Sequence, residues 1–170
     1  MELISVKQRS KLLTGVRETL KLEQCDFYAV DAEDLALFRA GDLDAVAASY
    51  QAWADSVAEM ERAGEHLRRI RVISEPLSDY QRMAVQFSGP AVEAGEDLRW
   101  LPRRLTSTLP LPGNDFFVLD GHTAVFNVMD GNGDRAEIQL YTEPEVVKLC
   151  LDAFEAAWAL AVPHHEYKPA

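Results

Sequence analysis

Residues 66–82, HLRRIRVISEPLSDYQR, decide the fold. Leu67 to Ile73 reads as a strand, because Ile70, Val72 and Ile73 are β-branched and fit a pleated, half-buried surface. The strand stops at Ser74-Glu75-Pro76 and turns into a helix. Pro76 has no N–H and a preset φ, which suits a first helical turn, and Ser74 or Glu75 is placed to cap it. Leu77, Tyr80, Met83, Ala84 and Phe87 then recur at three- and four-residue steps and make one apolar face. Ligands of open α/β sheets gather where strands end and helices begin, so this junction is the first place to look for a site.

Working back toward the N-terminus, residues 5–19 (SVKQRSKLLTGVRET) suggest a short helix weakened by Gly15. Leu20 to Glu23 alternates and reads as a strand, continued toward the core by Cys25, Phe27 and Tyr28. Asp31 is a fitting N-cap for a helix that carries Leu35, Leu37 and Phe38 and stops at Gly41. Asp42 or Asp44 caps a longer helix to about Ala63. Its Val46, Tyr50, Trp53, Val57 and Met60 form a core-facing stripe, and Gly64 ends it.

Working forward, Ser88-Gly89-Pro90 breaks the chain and Leu98 to Leu101 forms another strand, ended by Pro102. Residues 103–114 (RRLTSTLPLPGN) read as a polar, mobile connection. Three antiparallel strands follow: Asp115–Asp120, Thr123–Met129 and Arg135–Tyr141, joined by turns at 121–122 and 130–134. Thr142-Glu143-Pro144-Glu145 has the form of a capping box. The last helix carries Val147, Cys150, Phe154 and Trp158, and the tail HHEYKPA reads as loosely held. The expected architecture is a single α/β domain over residues 1–170: a mixed sheet with antiparallel hairpins near its C-terminus and helices packed on it.

Hydrophobic residues make up 48% of the 170 and charged residues 26%, which is globular composition. No apolar run approaches the roughly 20 residues needed to span a bilayer, and the first residues lack a signal-peptide pattern. Cys25 and Cys150 stand far apart outside any metal-ligand pattern and read as reduced thiols. These features place the protein in the cytoplasm. The net charge of −11 argues against direct nucleic-acid binding and favours a basic partner. Two arginine groups, Arg62, Arg68, Arg69 and Arg71, and Arg99, Arg103 and Arg104, read as solvated strand edges.

No complete catalytic motif is present. Asp130-x-Asn132-x-Asp134 begins like an EF-hand loop, but Arg135 and Tyr141 fill the glycine and glutamate positions, so a hairpin turn is expected. His122, His164 and His165 lack metal-site spacing, and no GxSxG, GxxxxGK[ST] or GxGxxG is found. Neither a metal nor a cofactor is called for. The remaining polar candidates at the first strand-to-helix junction are Ser74, Glu75, Ser78, Asp79, Tyr80 and Arg82. For the serines and Asp79, helix capping is the simpler role.

The stretches RRIRVISEPLSDYQR (68–82), AGEDLRWLPRR (94–104), LPGNDFFVLDGHTAVFN (111–127) and LDAFEAAWALAVPH (151–164) carry a resemblance over the whole chain. It resembles a family of uncharacterised actinobacterial domains often encoded beside helix-turn-helix regulators. The strand order, the DFFVLDG hairpin and the F-x-x-x-W helix are also similar to one half of the phospholipase D fold. That superfamily's H-x-K-x-x-x-x-D signature, aligned on Asp120, places Asp115 at the lysine and Gly113 at the histidine. Nucleophile and phosphate-binding lysine are both missing, which implies no phosphodiester transfer, and the likeness implies two copies paired about a two-fold axis.

The sequence therefore points to a non-enzymatic regulatory or accessory domain. It would bind a small ligand or a partner helix-turn-helix transcription factor near Glu75, Asp79, Tyr80, Arg82, Asp120 and Asn127. An enzyme of unfamiliar chemistry at that cleft would show a strongly shifted carboxylate among Glu75, Asp79, Asp115 and Asp120 in a concave pocket. A homo-oligomeric scaffold would show no pocket.

Overall fold

A computed structural model describes residues 1–169. The strands are β1 (Glu2–Leu3), β2 (Glu18–Glu23), β3 (His66–Ile73), β4 (Asp97–Pro102), β5 (Asp115–Leu119), β6 (Thr123–Met129), β7 (Arg135–Tyr141) and β8 (Val162–Pro163). The helices are α1 (Val6–Leu12), α2 (Ala32–Ala40), α3 (Leu43–Arg62), α4 (Asp79–Phe87), α5 (Gly89–Glu93) and α6 (Pro144–Trp158). The eight strands form one mixed sheet in the order β1-β7-β6-β5-β2-β3-β4-β8. β3 is parallel to both β2 and β4, and the other pairings are antiparallel.

The two faces of this sheet differ. Alternation along a strand sends successive side chains to opposite faces. One face carries Leu20, Leu22, Ile70, Val72, Phe116 and Val118, all buried under Val147, Cys150 and Phe154 of α6. The other face is covered in two separate places. Leu12 and Leu13, in and just after α1, pack with Phe117, Leu119, Val125 and Ile138 at the antiparallel end. At the parallel end, α2 to α5 bury Tyr80, Met83, Val46 and Val57, while Ile73, Leu98 and Trp100 meet Ala84 and Tyr167. Between the two coverings the sheet is open.

Several local expectations are corrected. Helix α4 starts at Asp79, not at Pro76. Ser78 caps it, accepting from the Gln81 N–H at 3.2 Å while the Gln81 side chain accepts from the Ser78 N–H. A serine three residues before a glutamine satisfies two free N–H groups reciprocally, which outweighs the proline signal. Ser74 instead donates to Asp26 and accepts from Arg103. The first helix ends at Leu12, the chain turns at Gly15, and β2 is under way by Glu18. Thr142-Glu143-Pro144-Glu145 forms no capping box, because Glu143 is itself the N-cap and its carboxylate takes the N-terminal ammonium at 2.9 Å.

The C-terminal tail is tied down. β8 pairs with β4, His164 accepts from the Trp100 indole at 3.0 Å, and Tyr167 is buried. Ala170 of the tail lies outside the described residues. β3 is no edge strand either. Arg69 and Arg71 point into the middle of the open face and are buried, because β2 and β4 flank them on both sides. The turn after β6 is a hairpin turn in which Asp130 accepts from the N–H groups of Asn132 and Asp134. Both cysteines are free thiols.

Candidate functional site

The open part of the sheet forms the floor of a groove of about 510 Å³. Lys21 and Glu23 of β2, Arg69 and Arg71 of β3, Asp115 and Phe117 of β5, and Asn127 of β6 line it. The register makes the charged rows adjacent: Lys21 lies beside Arg69 and Glu23 beside Arg71. Tyr50 and Trp53 of α3 form one wall, and Arg9 and Leu13, in or just after α1, form the other.

Glu23 is the centre of the charge network. Its carboxylate lies 2.5 Å from Lys21 Nζ, 3.2 Å from Arg71 Nε and 3.8 Å from Arg69 Nη1. Burial alone would raise its pKa, but Lys21, Arg71 and Arg69 overcome burial and hold it down at about 2. Arg69 also pairs with Glu96, whose other oxygen accepts from the Trp53 indole at 2.9 Å. Arg71 donates to the Tyr80 hydroxyl at 2.8 Å, which donates in turn to Asp31 at 2.6 Å. The rings of Tyr28, Tyr80 and Trp100 surround the Arg71 guanidinium at 5.6 to 6.0 Å.

Asp115 behaves differently. Burial, with Glu23 adding to it, pushes its pKa up to about 6. Hydrogen bonds from Tyr28 and from the Gln24 N–H oppose that rise without cancelling it. Burial also drives the Tyr28 phenol upward, and Glu23 and Asp115 reinforce it, so Tyr28 remains a donor.

The residues expected to form a site divide among several places. Asn127 lines the groove and accepts from Arg9 at 3.3 Å. Tyr80 reaches the groove floor through Arg71. Glu75 lies in a second, open hollow with Ser74, Pro76, Arg103, Arg104 and Ser107, where it pairs with Arg104 and accepts from the Tyr167 hydroxyl at 2.9 Å. Asp79 and Arg82 form an exposed ion pair on α4, joined by Arg39. Asp120 sits at the far end of β5, where its side chain accepts from the Glu18 N–H at 2.9 Å in a turn. The geometry brings Tyr80 and Asn127 together around the groove and leaves the other four elsewhere.

The sequence reading did not place Lys21, Glu23, Arg69, Arg71 and Glu96 in a site. A usable signal existed in the repeated alternation of L-K-L-E (20–23) and R-I-R-V (69–72), where charged and apolar positions take turns. On two parallel neighbours that pattern puts four charges on one face.

The sequence model of a family described as a domain of unknown function (DUF6879) matches residues 8–169. The chain belongs to the DUF6879 family. The match spans the groove and both its walls, so the charged floor lies inside the DUF6879 region. No curated protein matches this DUF6879 chain. No group of three or more potential ligands for a metal ion occurs among the described residues, and no described helix is long and apolar enough to cross a membrane.

Proposed function

We propose that this DUF6879 domain is a non-enzymatic regulatory or accessory module that binds a small ligand in the groove on the open sheet face. One observation carries the reading: Lys21, Glu23, Arg69, Arg71 and Asp115, from three neighbouring central strands, lie under a cavity of about 510 Å³. Apolar residues of similar volume commonly stabilise an interior as well as ion pairs do. A charged row at the middle of a sheet therefore speaks for recognition. The cavity falls in the range of small-molecule sites, which combine aromatic walls with a few fixed polar groups. Tyr28, Tyr50 and Trp53 supply aromatic rings beside the floor, and Phe117 adds one on it.

In this reading the domain works in the cytoplasm of an actinobacterium. It serves a helix-turn-helix regulator whose basic surface is matched by the net charge of −11. The similarity to one half of the phospholipase D fold supports a homodimer. Native mass spectrometry of the protein from its own host tests the core of the proposal. A co-purifying small molecule, diminished in Lys21→Met, is expected. A bare chain, with no groove resonance moved by a fractionated metabolite extract, overturns it.

A second reading, an enzyme, draws support from Asp115 alone. It is a buried carboxylate whose pKa burial pushes up to about 6, in the groove and bonded to Tyr28. Conversion of the recovered ligand by the wild type, and its retention unchanged by Asp115→Asn, would favour this reading.

A further inference from the structure

Inside the groove the cations are not all balanced. Lys21 and Arg71 share Glu23, and Arg69 has Glu23 and Glu96. Arg9 and Arg135 also line the groove, yet among the described residues neither has a carboxylate within ion-pairing distance. We infer that the α1 end of the groove is an anion-binding subsite, in which Arg9 and Arg135 take the carboxylate or phosphate group of a small ligand. The inference rests on the reading of the groove as a ligand site and specifies the charge of what enters.

Arg9 is held in place for this role. Its Nη1 donates to Asn127 Oδ1 at 3.3 Å, and its guanidinium lies 5.8 Å from the centre of the Phe117 ring. Its Nε is removed from solvent and has no hydrogen-bond partner among the described residues. Burial first, and then the neighbouring charge of Arg135, lower the pKa of Arg9. Two like charges brought together without a counter-ion repel, and an anion between them removes the repulsion. Lys21 Nζ, 5.3 Å from the same Phe117 ring, adds a third cation on this side.

The acidic groups of the groove are already engaged. Asp115 accepts from Tyr28 and Gln24, Asp31 from Tyr80, and Asp34 from Ser49. Neighbouring strands lie about 4.8 Å apart, so the three steps from β6 to β3 cover about 14 Å. At that distance stands Trp53, its ring 5.6 Å from the Arg69 guanidinium, with Tyr50 beside it on the α3 wall. The groove thus suits an organic acid or phosphate monoester with an aromatic or apolar body.

The test is an NMR titration of the full chain, read at the arginine Nε–Hε and tryptophan indole signals. The probes are phenyl phosphate, benzoate and the uncharged benzyl alcohol, at matched ionic strength. Saturable movement of the Arg9 Nε–Hε signal with either anion, and none with benzyl alcohol, is expected. Charge-assisted hydrogen bonds are strong enough that Arg135→Gln should weaken the anion at least about tenfold. Arg62→Gln, outside the groove, should leave it unchanged. The stronger of the two anions distinguishes a phosphate from a carboxylate ligand. Anions that saturate without moving Arg9, or that ignore Arg135→Gln, overturn the subsite. If benzyl alcohol alone moves Trp53, the subsite falls and the groove survives as a ligand site. Silence from all three probes also overturns the subsite, while the ligand-site reading is decided separately by mass spectrometry.

Discussion

The Tyr28 hydroxyl donates a 2.5 Å hydrogen bond to Asp115 Oδ2, fastening the segment after β2 to the first residue of β5. The Gln24 N–H holds the other carboxylate oxygen at 2.7 Å. Both bonds favour the ionised form, but burial prevails and moves the pKa of Asp115 from the ordinary 3.8 to about 6. Between those values the folded state keeps the proton that the unfolded state has released. Stability contributed by this group is therefore present below about pH 4 and lost as pH rises through 6. Comparison of wild type with Asp115→Asn by urea unfolding should show this falling limb only in the wild type, with a size on the order of 3 kcal/mol.

Glu23 gives the opposite slope. Its pKa falls from the ordinary 4.5 to about 2, so the unfolded state binds the proton first as pH drops. The stability it contributes is present above about pH 4.5 and lost toward pH 2. Glu23→Gln leaves Lys21, Arg69 and Arg71 without their shared anion, and uncompensated buried charge costs about 3 kcal/mol or more. Urea unfolding at neutral pH should register that loss, and the acid limb should shrink with it.

Ser78→Ala tests the start of α4. The substitution removes the acceptor for the Gln81 N–H and should cost about 1 kcal/mol. In a chain of this size that lowers the midpoint of thermal unfolding by about 2 to 4 °C. An unchanged midpoint would contradict the capping arrangement.

Two glycine substitutions should separate strain from crowding. Gly41→Ala places a methyl at φ 81 with nothing within 4 Å, so only backbone strain of about 1 kcal/mol is expected. At Gly95, φ is 124 and an added Cβ would lie 2.3 Å from Glu61 Cγ. Glu61 must then move from its 3.0 Å contact with His66. Denaturant midpoints should show a clearly larger loss for Gly95→Ala.

The α/β class, the long α3, the hairpins of β5 to β7 and the alternation of β3 were legible, because period-2 and period-3.6 patterns are local. The beginning of α4 was not, because two capping signals competed and only the reciprocal Ser78–Gln81 pair was satisfied. The charged floor was obscured for another reason. Arg69 and Arg71 look exposed when read singly, and only the pairing with β2 brings Glu23 to them. Glu96 comes from a third segment, and Arg9 reaches Asn127 across 118 positions. The alternation of 20–23 and 69–72 hinted at charges on one face, but which strand pairs with which, and where Glu96 and Arg9 join, is not written in any local period.

The alternation of β3 has a bearing on how the chain finds its fold. A slip of one position against β2 would turn Arg69 and Arg71 toward Phe154 and Cys150, and Ile70 and Val72 into the charged groove. Misaligned pairing is therefore penalised on both sides of the sheet at once. The arginines that line the groove also act as a check on strand alignment during folding. Replacing them with apolar residues would remove that check and admit shifted, aggregation-prone pairings even where the finished fold tolerated the change.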